Sequence, residues 1–274
     1  MKTILVDPSR CLQCCNCQNS CKDEYCDNDW SPLAAKQGPG QFWIKVHETQ
    51  SGAGSRMRLD RVPILCQHCE KPACMNACPN KAIHQRDDGI VIIDPAKCKG
   101  CGSCKAACGY GVIYLNDEAG ISQKCTMCAH LLDAGWEKPR CVNACPVDAI
   151  SYVDVGELTD VDMYAPLERM YPELETKPRV AYVNLPMPFV AGAVYSPNED
   201  LCLEKVDLHL EGQATGIAYC AQSSMLGEFR IEGVQPGIYA LTFSKDGYDT
   251  KTISRLDVRD GLNVGDVGLI KTPT

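Results

Sequence analysis

The chain has 274 residues, a formal net charge of −8 and 20 cysteines, a length that suits two domains of ordinary size. That length sets it apart from short secreted scaffolds stapled by disulfides, so clustered cysteines point first to metal ligation. With no block of basic residues, nucleic acid is not an expected partner.

Read along the chain, MKTILVDPSR has only a short apolar run, ended by Asp7 and Pro8. It is too short for a secretory leader, and a cytoplasmic protein is expected. Next comes the first cysteine quartet, Cys11-x2-Cys14-x2-Cys17-x3-Cys21. The second is Cys66-x2-Cys69-x4-Cys74-x3-Cys78-Pro79, and the third is Cys98-x2-Cys101-x2-Cys104-x3-Cys108. The fourth is Cys125-x2-Cys128-x12-Cys141-x3-Cys145-Pro146. Residues 1–150 form the expected cluster region. Residues 151–180, acidic and punctuated by proline, read as a linker, and 181–274 as a second domain.

Charge divides the same way. Residues 1–150 carry 17 Lys+Arg against 16 Asp+Glu, or +1, and 151–274 carry 10 against 19, or −9. The more basic balance lies where thiolates would add negative charge. The most apolar stretch, VAYVNLPMPFVAGAVY at 180–195, is interrupted by Asn184, Pro186 and Pro188, too short and broken for a membrane span.

Cysteines three residues apart on an irregular loop can reach different corners of one cubic cluster, while the intervening amides point at its sulfurs. The fourth cysteine is expected to start a helix and ligate a neighbouring cluster. Gly100 and Gly102 would let the backbone approach the inorganic core. Zinc and disulfides are the competing readings. A structural zinc site uses two C-x2-C pairs, whereas the first and third quartets carry triplets.

GIVIIDPAKCKGCGSCKAACGYGVIYL at 89–115 is similar to half of a bacterial ferredoxin: strand, cluster loop, helical turn, returning strand. CPNKAI at 78–83 and CPVDAI at 145–150 are the matching ends. On this pattern the second and third quartets make one two-cluster unit, and the first and fourth pair around it. The nesting implies four ligand sets: Cys11, Cys14, Cys17 with Cys145; Cys125, Cys128, Cys141 with Cys21; Cys66, Cys69, Cys74 with Cys108; and Cys98, Cys101, Cys104 with Cys78. Three to four [4Fe-4S] clusters are expected, four by cysteine count. Cys15 and Cys26 are left over and read as buried thiols.

Across 1–150 the four motifs, above all QKCTMCAHLLDAGWEKPRCVNACPVDAI at 123–150, resemble the electron-transfer subunits of molybdopterin oxidoreductases in the dimethyl sulfoxide reductase family. Gly109 departs from the pattern, standing where proline is usual. More narrowly, the combination with the C-terminal domain resembles phenol transhydroxylases of that family. The resemblance implies a large catalytic partner subunit carrying molybdenum and bis-molybdopterin guanine dinucleotide, a heterodimer, and no catalytic residue in this chain. The electron-transfer subunit of another soluble enzyme of the family, a free-standing polyferredoxin and a zinc-stabilised scaffold are the alternatives.

From about 181 the pattern alternates. Val206, Leu208 and Leu210 share one face, then Phe229 and Ile231, then Tyr239, Leu241 and Phe243, with turn signals at QPG and KDG. About seven strands are expected in a small antiparallel sandwich or barrel, making the whole chain α+β. GEFRIEGVQPGIYALTFSKDGYDT resembles carboxypeptidase regulatory and transthyretin-like modules. Cys202 and Cys220 lack ligand spacing. Of the five histidines only His68, between Cys66 and Cys69, adjoins a quartet, where it orders the loop or donates to sulfur. The tryptophans read as core, and GAGS at 52–55 is too weak for a phosphate loop.

Overall fold

The computed structural model describes residues 2–154, 156 and 167–272; residues 155 and 157–166 of the expected linker lie outside the described residues. The chain divides into two compact units, Met1–Glu48 with Arg61–Leu185, and Thr49–Asp60 with Pro186–Thr274.

The first unit begins with β1 (Lys2–Val6), α1 (Asn16–Cys26), β2 (Ile44–Ser51) and β3 (Arg58–Leu65), the last two a hairpin whose tip counts with the second unit. It continues with α2 (Ala73–Asn76), β4 (Ile83–Gln85), β5 (Val91–Ile93), α3 (Ser103–Ala107), β6 (Tyr114–Asn116) and β7 (Ile121–Gln123). It ends with α4 (Ala129–Asp133), α5 (Arg140–Asn143), β8 (Ile150–Asp154) and β9 (Ala181–Tyr182). Three antiparallel pairings gather the cysteine segments. β1 pairs with β8 (Val6 opposite Ile150), β4 with β5 (Ile83 opposite Ile93), and β6 with β7 (Tyr114 opposite Gln123). β9 adds to β1 in parallel, Leu5 opposite Ala181, which puts residues 181–185 in this unit and starts the second at 186.

Helix α1 turns Cys17, Cys21 and Tyr25 inward, the i, i+4, i+8 stripe of an amphipathic helix. It packs on α5, as α2 packs on α3. The expectation that each fourth cysteine starts a helix is corrected. Cys21 lies inside α1, and Cys78, Cys108 and Cys145 lie just past α2, α3 and α5. After Cys78 and Cys145 the next residue is proline, which cannot continue a helix and biases its predecessor away from helical backbone.

One core joins Ile4, Val6, Trp43, Ile44, Leu65 and Tyr182 to the buried Cys17, Cys21, Cys66, Cys125, Cys128 and Cys141. Tyr25 stacks tilted on Trp43 at 4.5 Å and its hydroxyl reaches Thr126 Oγ1 at 2.7 Å. His130, stacked on Trp30 at 4.3 Å and bonded to Glu24 at 3.0 Å, fastens α4 to α1. Among the described residues no helix is long and apolar enough to cross a membrane.

The second unit contains β10 (Val190–Ser196), β11 (Leu201–Cys202), β12 (Asp207–Gly212), β13 (Ala218–Gln222), β14 (Glu228–Ile231), β15 (Gly237–Ser244), β16 (Lys251–Val258) and β17 (Leu262–Gly268). These eight strands form two four-stranded sheets: β11-β10-β14 with β17 on β10, and β13-β12-β15-β16. Seven antiparallel strands were expected; β17 instead joins β10 in parallel. Gly192 permits that join, since a Cβ there would stand 2.8 Å from Gly265 O and from Phe229. Strict alternation on β12 points Leu208 and Leu210 inward and Asp207, His209 and Glu211 outward. Both sheets share one apolar interior, where Phe229 and Phe243 meet edge to face at 5.6 Å.

Candidate metal centres

The four quartets share a backbone device. In each, the residue before the second cysteine is left-handed: Gln13 (φ 57°), His68 (φ 43°), Gly100 (φ 62°) and Met127 (φ 54°). Three residues after Cys78, Cys108 and Cys145 the chain is left-handed again, at Lys81, Gly111 and Asp148. Such reversals fold successive amides toward one side, the geometry of an anion-binding nest. The amides do meet sulfur: Met127 N–H donates to Cys125 Sγ at 3.3 Å, and Ser122 N–H to Cys98 Sγ at 3.2 Å. Ala82 N–H donates to Cys78 Sγ at 3.4 Å and Ala149 N–H to Cys145 Sγ at 3.2 Å. Gly100 is also required by a neighbour distant in sequence: a Cβ there would lie 2.4 Å from the Gly120 carbonyl.

Thiols far apart in sequence influence one another electrostatically. Burial pushes the Cys17 thiol up to about 12, and Cys11, Cys145 and Cys14 add to the effect; burial also raises Cys11, with Cys14 and Cys145 beside it. Cys21 and Cys141 are held well above the usual thiol range by burial and then by Cys128 and Cys125. Burial lifts Cys74 to about 12 and Cys69 to about 11, each with Cys66 and Cys108 contributing. These neighbours coincide with three of the four expected sets.

The fourth set is gathered more loosely. Cys104 rises through burial and Cys98. Cys78 and Cys98 pack against the same apolar cluster as Cys104. Cys101 is exposed, its thiol lowered by Ser103.

The sets are also linked to each other. Cys17 bears on both Cys21 and Cys141, Cys66 bears on Cys125, and Cys74 and Cys108 share an apolar cluster with Cys78, Cys98 and Cys104.

Buried thiols that repel one another's ionised forms call for a cationic centre that takes them as thiolates. Among the described residues no group of three or more His, Cys, Asp or Glu is arranged around a single metal ion.

A larger sulfur-bearing group fits a second feature. His68 is fully buried and lines a cavity with Cys66, Cys69, Cys74 and Cys108. Its Nδ1 accepts Val91 N–H at 3.0 Å, so Nε2 carries the proton, and that buried N–H has no partner among the described residues. An unmet donor in a thiol-lined cavity suits an inorganic sulfide as acceptor. His68 thus holds the Val91 amide and keeps one buried donor in the thiol-lined cavity.

Cys15, left-handed between Cys14 and Cys17, and Cys26, at the end of α1, are half-buried where buried thiols were expected. Cys202 and Cys220 are exposed. Sequence reasoning passed over Lys124. It is only 2 % exposed, and its Nζ donates to Cys125 O at 3.0 Å and to Val91 O.

Residues 57–155 match the 4Fe-4S dicluster domain and residues 190–267 the carboxypeptidase regulatory-like domain. The chain is 35 % identical to the pyrogallol hydroxytransferase small subunit of Pelobacter acidigallici, over 98 % of each chain. It is 30 % identical to the thiosulfate reductase electron transfer subunit of Salmonella typhi, covering 64 % of this chain and 86 % of that one. With one polypeptide of the anaerobic dimethyl sulfoxide reductase of Escherichia coli K12 it shares 33 % identity, over 65 % of this chain and 85 % of the relative.

Proposed function

The chain belongs to the family of iron–sulfur electron-transfer subunits of oxidoreductases that includes the pyrogallol hydroxytransferase small subunit, and from that premise we propose that its sixteen quartet cysteines hold four [4Fe-4S] clusters in a line. The ligand sets are Cys11, Cys14, Cys17, Cys145; Cys125, Cys128, Cys141, Cys21; Cys66, Cys69, Cys74, Cys108; and Cys98, Cys101, Cys104, Cys78, in that order along the relay. The order is supported by the electrostatic reach of Cys17 to Cys21 and of Cys66 to Cys125, and by the packing of α2 on α3. The two ferredoxin-like units are then nested, the first and fourth quartets enclosing the second and third. The repeated left-handed residue before the second cysteine, with amides aimed at Sγ, is the observation that carries the reading.

Bound clusters of this kind each accept and return one electron. The residues of this chain exclude water from the inner sets, aim N–H groups at sulfur and fix the spacing. The partner we propose is a large molybdopterin-containing subunit, since the relative's name describes a small subunit. Moving a hydroxyl between phenols, as from pyrogallol to phloroglucinol, changes no net oxidation state. The relay would therefore set the oxidation state of the catalytic centre and carry no net current in turnover. Residues 186–274 with 49–60 serve as a β-sandwich packing module.

Anaerobic purification with metal analysis tests the reading. About sixteen irons with matching acid-labile sulfide per chain, and a molybdenum-containing partner near one to one, are expected. Zinc without labile sulfide would overturn it, and a stable iron-loaded monomer would favour a free polyferredoxin.

A further inference from the structure

Lys124 is a buried lysine whose two hydrogen-bond partners are both backbone carbonyls, Val91 O and Cys125 O, and no carboxylate lies within ion-pair distance of it among the described residues. An ammonium taken out of water without an anion costs several kcal/mol, so such a residue persists only where a negative charge answers it. Its position identifies that charge. Lys124 is bonded in sequence to Cys125 and reaches across to Val91, whose own N–H is held by His68 between Cys66 and Cys69. A positive charge at Lys124 acts on Cys125 of one inner set and on Cys74 of the other.

We propose that Lys124 is a shared counter-charge lodged between the two inner clusters, raising the reduction potential of both, with the Val91 peptide joining it to the His68 donor on one side and its own chain to Cys125 on the other. The inference rests on the cluster assignment above. Four thiolates around such a core leave it doubly anionic when oxidised and triply anionic after taking up one electron. A fixed cation therefore stabilises the reduced form more than the oxidised form, and it does so for both neighbours from one site. Because attraction falls with distance and is strongest in a water-excluded interior, the outer sets, which contain the exposed Cys14 and Cys101, should respond least.

The test is the intact complex carrying Lys124→Met, with Lys124→Arg as the charge-retaining control, titrated with dithionite and followed by electron paramagnetic resonance. At a fixed poise, the reduced-to-oxidised ratio of two of the four clusters is expected to fall at least tenfold, about 59 mV for a one-electron couple, while Lys124→Arg stays close to wild type. Full iron and sulfide with unchanged potentials in Lys124→Met would overturn the proposal and leave the cluster assignment standing. Absence of iron and sulfide from the wild type would defeat the assignment itself. If Lys124→Met does not assemble, Lys124→Gln, which keeps a donor without the charge, is read by the same shift. Assembly by Lys124→Arg alone supports a counter-charge, and failure of all three variants, arginine included, overturns it in favour of simple packing.

Discussion

The two units solve the problem of an interior in opposite ways. The second fills its own with apolar side chains from two sheets, Leu208, Leu210, Phe229, Leu241 and Phe243 among them. The first has strands and helices mostly of three to five residues around its quartets, and seven of its buried core residues are cysteines among the described residues. Short elements gathered around many thiols are expected to lean on what those thiols bind, and the purely apolar core of the second unit is not.

Stripping the iron with a chelator under reducing conditions should break the comparison most sharply. Amide protection is expected to collapse across β4–β7 and α2–α5 while β12, β15 and β16 keep theirs, as read by hydrogen exchange. Equal loss in both units would contradict the contrast. A smaller effect should follow Cys141→Ala, which removes a fully buried thiol shared electrostatically with Cys128, Cys125 and Cys21. On the proposed assignment about a quarter of the iron should be lost, with the exchange pattern of 186–274 unchanged.

In the other unit, Phe243→Ala deletes a fully buried ring that meets Phe229 and should cost about 3–5 kcal/mol. Denaturant unfolding should show the change in the second unit alone, with iron content unaltered. The mildest expected effect is of pH. Metal-free, the Cys17 and Cys74 thiols are pushed up to about 12 and Cys69 to about 11 by burial, so they are protonated across the neutral range and must release protons when iron binds. The loaded form binds fewer protons than the empty one, and iron retention should strengthen as pH rises and weaken as it falls. Chelator extraction rates near neutrality should increase with acidity, a trend that an unchanged rate would refute.

Much of the first unit was legible because cysteine at two- and three-residue intervals has few other uses, and the strand-forming ends CPNKAI and CPVDAI announce the pairings found at Ile83 and Ile150. The left-handed position in each loop was legible only at Gly100. Gln13, His68 and Met127 occupy the same conformation without sharing any chemistry, because the surrounding thiol loop imposes it. Lys124 was invisible for a related reason: a lone lysine reads as surface, and only the folded neighbours reveal that it faces none. In the second unit, alternation identified the inward residues, Leu208 and Leu210 among them. It could not foresee β17 lying parallel to β10, a pairing between distant strands set by packing around Gly192 and Gly265. The fourth cysteines of the second and fourth quartets follow short helices, and Pro79 and Pro146 bar a helix from continuing through them.

Exposure of Cys14 and Cys101, set against the burial of Cys21, Cys125, Cys128 and Cys141, gives the molecule a graded vulnerability to dioxygen. On the proposed assignment, air would reach the sets holding Cys14 and Cys101 first and the set of Cys21, Cys125, Cys128 and Cys141 last. A sample handled aerobically should thus keep that buried set longest, still coloured after the exposed ends are lost.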